Sequence, residues 1–174
     1  MLFRSGSISG SGSIIKNADN SMTLSGNSSY LGGTTVNAGA LVAGHANAFG
    51  SGVVVVNSGT LDLASLAITN LITNNGGTII NAANYVGTQA VVGVVSMTGT
   101  IGGAVNVVSS GELKGSGARF NGLVSLAAGA RHSPGNSPGT QTFAAGLSYS
   151  AGSSLNWELI ANTTAGAGTT YDFL

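Results

Sequence analysis

The chain has 174 residues, with five basic and five acidic side chains, a formal net charge of zero, and no cysteine. A charged fraction of 6%, against roughly 25% in ordinary domains, leaves no basic patch for nucleic acid or anionic lipid, and the missing cysteines exclude disulfides and thiolate metal sites. The 29 glycines suggest disorder, but a 43% hydrophobic fraction with Val, Leu and Ile in short runs argues for burial.

From the N-terminus, residues 7–29 alternate short apolar pairs (Ile14-Ile15, Met22 to Leu24) with Gly, Ser and Asn, and show no i, i+3, i+4 period. They predict strands and turns. Residues 30–63 then write one phrase twice: Val36-Asn37-Ala38-Gly39-Ala40-Leu41, and Val56-Asn57-Ser58-Gly59-Thr60-Leu61, with the second glycine 20 residues after the first. Each copy reads strand, corner, strand. A period of about 20 residues made of short strands predicts a solenoid, whose repeats bury their apolar sides only by stacking.

Fainter copies follow at Asn75-Gly76-Gly77-Thr78-Ile79, Met97-Thr98-Gly99-Thr100-Ile101, Ser110-Gly111-Glu112-Leu113, Ala128-Gly129-Ala130 and Ala151-Gly152-Ser153. Apolar segments at Leu66 to Ile72, Thr78 to Ile80, Val91 to Val95 and Val105 to Val108 predict further rungs of uneven length. Strands this short, joined by corners too short for helices, stack in parallel only by coiling. The expectation is an all-β, right-handed parallel β-helix of eight or nine coils and roughly 40 Å, with inward aliphatic columns and an amide ladder through Asn37 and Asn57. Its two open ends have no amphipathic helix to cap them.

Lys16-Asn17, Thr23-Leu24-Ser25-Gly26-Asn27, Tyr30, Gly32-Gly33-Thr34-Thr35-Val36-Asn37-Ala38-Gly39, Leu41 and Asn47-Ala48-Phe49-Gly50-Ser51-Gly52 stand in the order of autotransporter-associated β-strand repeats, which the chain resembles best over residues 10–63. It departs from that pattern at Ala18-Asp19-Asn20-Ser21 and at Leu31. Later, Ser133-Pro134-Gly135-Asn136-Ser137-Pro138-Gly139-Thr140, a strand pair at Leu147 and Leu155 to Leu159, and Tyr171-Asp172 with Leu174 resemble the late segment of autotransporter passengers, although Arg131-His132 fits it poorly. Two parts are expected: repeats over 1–130, and over 131–174 the late-passenger segment with a rigid proline loop that interrupts the ladder. The resemblance implies a non-enzymatic stalk or adhesin segment of a secreted or surface-displayed bacterial protein, without a cofactor. Its parent would carry a signal peptide and a C-terminal outer-membrane β-barrel, with neighbouring rungs and a host-surface or glycan ligand as further partners. The longest central aliphatic run, Val53 to Val56, is far below the ~20 residues of a spanning helix; no signal peptide is recognisable at Met1 to Gly6 and the sequence stops at Tyr171 to Leu174 in what reads as the start of another strand, so a fragment of that parent is expected.

No catalytic, cofactor-binding or metal-binding residue is assigned. Gly135-Asn136-Ser137-Pro138-Gly139 has the G-x-S-x-G spacing of a serine nucleophile elbow, but Pro138 has no N–H for an oxyanion and no helix follows. His45 and His132 read as surface-turn residues, and the acids are too dispersed for a metal site. The alternative function is a carbohydrate-active or glycan-binding β-helix, of the polysaccharide-lyase or tailspike kind. Asp62, Glu112 and Glu158 are isolated in sequence, so this reading requires stacking to bring Asp62, Glu112, Lys114 and Arg119 together in one groove. Tyr149 and Trp157 read as half-buried strand aromatics before they read as a sugar platform. A flat binding face would need an aligned threonine array, and the threonines are scattered.

Overall fold

In a computed structural model, residues 2–4, 6–135 and 139–157 are described. Their strands, in chain order, are β1 (Leu2–Arg4), β2 (Ile14–Lys16), β3 (Ser21–Leu24), β4 (Thr34–Val36), β5 (Ala40–Ala43), β6 (Val54–Val56) and β7 (Thr60–Asp62). Next come β8 (Ile72–Asn74), β9 (Thr78–Ile80), β10 (Thr88–Val91), β11 (Val94–Ser96), β12 (Thr100–Ile101), β13 (Ala104–Val107) and β14 (Glu112–Gly115). The last six are β15 (Ala118–Phe120), β16 (Val124–Leu126), β17 (Arg131–Pro134), β18 (Gln141–Phe143), β19 (Leu147–Tyr149) and β20 (Ser154–Leu155). Every pairing between these strands is parallel, and the described residues contain no helix. The molecule is a parallel β-solenoid.

One eight-stranded sheet, in the order β2-β4-β6-β8-β10-β13-β16-β19, runs the length of the rod. Its registers, Ile14–Thr34–Val54–Ile72–Gln89–Val105–Val124–Leu147, advance by 20, 20, 18, 17, 16, 19 and 23 residues, which makes about seven turns near 19 residues each. At one ladder spacing per turn the described rod is about 34 Å long. The described residues thus make about seven turns, where a uniform period over the whole chain gives eight or nine.

The repeated phrase explains the first corner. One inward valine ends each of β4 and β6 (Val36, Val56), the Asn turns outward, and the Gly lets the chain reverse into the next face. Gly39 and Gly59 have φ of 66° and 70°. A Cβ on Gly39 would stand 2.3 Å from the Ala18 carbonyl oxygen, and one on Gly59 2.5 Å from that of Gly39. Only glycine combines that dihedral with backbone-to-backbone stacking.

After this corner comes the second face, β1-β3-β5-β7-β9, which continues on the same side of each coil as β11-β14-β17-β20. The two segments are separate sheets, because β9 and β11 do not pair. The third side also changes there. In the early coils it is an irregular loop filled by Tyr30, Phe49, Ile68 and Tyr85, all fully buried, with the single Tyr85 hydroxyl proton shared between the carbonyls of Asn70 (2.8 Å) and Thr88 (2.7 Å). In the later coils it is a third sheet, β12-β15-β18, where Phe120 and Phe143 stack with centroids 5.0 Å apart. The cross-section passes from two strands per turn to three.

The core divides at the same level. One cluster runs from Leu24 to Tyr85 and the other from Val91 to Ala130, with Phe143 and Leu147 packed on it. Between them the inward columns of the long sheet turn polar at Asn74 and Gln89. Asn74 is satisfied locally, donating to Gly77 O (3.1 Å) and accepting from Gly76 N (3.0 Å). Gln89 buries its Nε2 without a partner. The ladders of the long sheet and of the later second and third faces run unbroken across residue 130.

Candidate functional site

Two groups of polar side chains stand out on this frame. The first is axial. Asn37 Nδ2 donates to Asn17 Oδ1 (2.7 Å), Asn57 to Asn37 (2.8 Å) and Asn75 to Asn57 (2.6 Å), one bond per turn along the first corner. A parallel pair joins Asn47 to Asn27 (2.9 Å), and Asn81 donates to Asp62 Oδ1 (2.8 Å) on the second face. The predicted ladder through Asn37 and Asn57 is thus present and extends one rung to either side. The cause is geometric: identical corners stacked one ladder spacing apart hold their amides at hydrogen-bonding distance. Replacing Asn57 by Ala removes two of these bonds from the middle of the ladder, and should lower stability by about 1–2 kcal/mol. A urea titration of the two proteins, compared at equal denaturant dependence, checks it.

The second group lies in the last turns. β17 follows a tight corner at Ala128-Gly129 and repeats the register of β14: Arg131 over Glu112, His132 over Leu113, Ser133 over Lys114 and Pro134 over Gly115. Alternation sends His132 inward, where it is completely buried; this corrects its reading as a surface-turn residue. Its Nε2 lies 2.7 Å from Gln141 Oε1 and its Nδ1 2.5 Å from the Tyr149 hydroxyl. Gln141 Nε2 donates to Gly115 O (2.9 Å), which fixes Oε1 as the atom facing His132. Gln141 Oε1 can only accept, so the ring carries a proton at Nε2, while Nδ1 is hydrogen-bonded to the Tyr149 hydroxyl. Phe143 meets it edge-on at 5.6 Å. Pro134, expected in a loop that breaks the ladder, instead closes β17, buried and in register with Gly115; its missing N–H costs nothing at a strand's last position.

On the outer side of the same strands, Ser133 donates to Glu112 Oε1 (2.7 Å), Asn156 Nδ2 donates to Ser133 Oγ (3.2 Å), and Arg131 Nε lies 3.8 Å from Glu112 Oε2. The Arg131 side chain is 56% exposed, so the ion pair adds little stability. Tyr149 and Trp157 are 39% and 46% exposed.

The remaining sequence candidates do not gather. Asp62 is engaged by Asn81 and the Ala64 N–H, Arg119 donates to Asn121 Oδ1 (3.2 Å) on the third face, and Glu112 with Lys114 lies three rungs from Asp62, about 14 Å along the axis. His45 sits in a turn and accepts the Asn47 N–H at Nδ1 (3.0 Å). Ser137, Pro138 and Glu158 lie outside the described residues. Among the described residues, no three of His, Asp and Glu gather as metal ligands, and no helix is long and apolar enough to cross a membrane. On the long sheet the outward column reads Ile15, Thr35, Val55, Thr73, Ala90, Asn106, Ser125 and Ser148, so its two threonines are interrupted by Val55.

Burial also governs the tyrosines. It raises Tyr149 to about 12 and pushes Tyr30 and Tyr85 above the ordinary phenol value. The fold holds the neutral phenols, so their contribution to stability is whole below about pH 10 and is lost as pH climbs through about 12. Melting temperature measured from pH 8 upward should be flat to about pH 10 and then fall, and an absorbance titration should show Tyr149 ionising late.

The fold and these groups define a class: a parallel β-solenoid whose side-chain hydrogen bonds repeatedly join one rung to the next. Comparison with protein-family models, with curated proteins and with solved structures gives no match for this chain.

Proposed function

We propose that the chain is a structural stalk segment of a secreted or surface-displayed, autotransporter-like bacterial protein, holding a distal region away from the cell. The observation that carries this reading is where the surface polar groups go. Asn17, Asn37, Asn57 and Asn75, the Asn27–Asn47 pair, Asp62 with Asn81, and Glu112 with Ser133, Arg131 and Asn156 are joined rung to rung along the rod axis. A surface built for chemistry directs such groups at a common point, whereas a rod under axial load gains by tying each coil to the next. The parallel ladders add backbone cohesion in the same direction.

The near-absence of charge and the lack of cysteine suit passage through a narrow export pore. Coiling outside the cell, rung upon rung, would then favour outward movement. In the parent this segment would stand between a signal peptide and an outer-membrane β-barrel.

The test is to place the chain between a signal peptide and an outer-membrane barrel and probe an epitope at its N-terminal end on intact cells. The stalk reading expects surface exposure of the epitope, with protease resistance of the rungs between epitope and barrel. Retention in the periplasm, or display as a protease-sensitive chain, would overturn it.

A further inference from the structure

The second face of the solenoid breaks off after β9, and where the chain passes from β9 toward the third side a cleft opens against the segment that leads into β12. The two rungs touch at Asn74, whose carbonyl accepts from Val92 N (2.9 Å), and again at Ala82, whose carbonyl accepts from Gly102 N (2.9 Å). Between these contacts they part around a cavity of about 360 Å³, with Ile79, Ile80 and Asn81 on one wall and Thr98, Thr100 and Ile101 on the other. No lining residue is charged and none is aromatic.

Both walls present backbone. In a parallel ladder, successive residues turn their N–H and C=O to opposite sides. Thr78 N donates to Gly59 O, and Leu63 N donates to Ile80 O, so residues 78 and 80 face β7. Ile79, between them, directs its N–H and C=O into the cleft. On the opposite wall Arg119 N donates to Gly99 O and Asn121 N to Ile101 O, which leaves Thr100 directed into the cleft. Among the described residues, the outer edge of β9 has no strand beside it, and β12 pairs only with β15.

We propose that this cleft is a docking site for a short, extended, uncharged peptide segment, which adds as a strand between β9 and β12. An extended peptide carries the donor and acceptor alternation that both edges lack, and small or β-branched side chains match Ile79, Ile80 and Ile101. A glycan is disfavoured because no aromatic ring lines the walls for a sugar to stack on. The volume is at the low end of ligand cavities, roughly 300–1,000 Å³, so the inserted part is short and its flanks turn outward. This site is independent of the stalk reading.

The probe is a labelled pentapeptide, acetyl-Ser-Val-Thr-Val-Ser-amide, titrated by fluorescence anisotropy, with hydrogen exchange followed residue by residue. The expected result is saturable binding with slowed exchange at the Ile79 and Thr100 amides. Two variants with unchanged circular dichroism should each weaken it about tenfold or more: Thr98→Trp, which fills the cleft, and Thr100→Pro, which removes a cleft-facing N–H without costing a ladder bond. N-methylating alternate residues of the peptide should weaken it equally. Absence of saturation up to about 1 mM, undiminished binding of the N-methylated peptide, or protection confined to the open rod ends would each overturn the proposal.

Discussion

Gly39→Val should prevent the coil from forming, a loss beyond the ~4 kcal/mol that marks exceptional substitutions. Two causes act together. The residue has φ of 66°, a dihedral that a β-branched side chain essentially does not adopt, and its Cβ would meet the Ala18 and Asn20 carbonyl oxygens at 2.3 and 2.4 Å. Those oxygens belong to the corner of the adjacent rung, and Asn20 O already accepts from Ala40 N (3.2 Å), so the neighbour has no room to retreat. Gly117→Ala separates the causes. Its φ is 76° but nothing lies within 4 Å, so it should cost only about 1–2 kcal/mol, the left-handed dihedral alone. Circular dichroism and denaturant titration of both variants check the pair.

His132→Leu should be nearly as damaging, at about 2–4 kcal/mol, although leucine suits the column of Val95 and Leu113. The loss arises in the partners. Gln141, 1% exposed, would keep a buried Oε1 without the ring N–H it accepts from, and Tyr149 would lose its bond to the ring. Adding Gln141→Leu removes the stranded amide, so the double variant should recover much of the loss, since replacing both partners by apolar groups can be nearly neutral. A double-mutant cycle from urea midpoints measures this coupling, and additive losses would deny that the pair acts as a unit.

The long sheet and its first corner were legible because one phrase, Val-Asn-x-Gly, writes the whole corner: inward Val, outward Asn, reversing Gly. That is why the amide ladder and the alternate burial of Val36, Leu41, Val56 and Leu61 follow from residues 36–61 alone. The passage from two strands per turn to three was not legible. It depends on steps shortening to 17 and 16 residues around Gln89, and a shortened step looks in sequence like any loop deletion. The cleft at Ile79 shares that cause.

His132 misled for a different reason. Arg131-His132-Ser133-Pro134 is polar throughout, so nothing local marks an inward side. A signal existed in register: laid over Glu112-Leu113-Lys114-Gly115 nineteen residues earlier, it puts His132 on Leu113 and Arg131 on Glu112. The partners that make an inward histidine tolerable, buried Gln141 and the half-exposed Tyr149, lie 9 and 17 residues away in sequence, and only the coil brings them together.

A stalk must be a rigid column, and the chain offers a direct way to measure one. With no native cysteine, Thr35→Cys with Ser125→Cys takes two spin labels without competition. Both positions lie on the outward column of the long sheet, five rungs apart. Pulsed electron-spin distance measurement should give a single narrow distribution between backbone positions near 24 Å, five ladder spacings. A broad distribution, or one centred far beyond that spacing, would contradict the stacked rod on which the account rests.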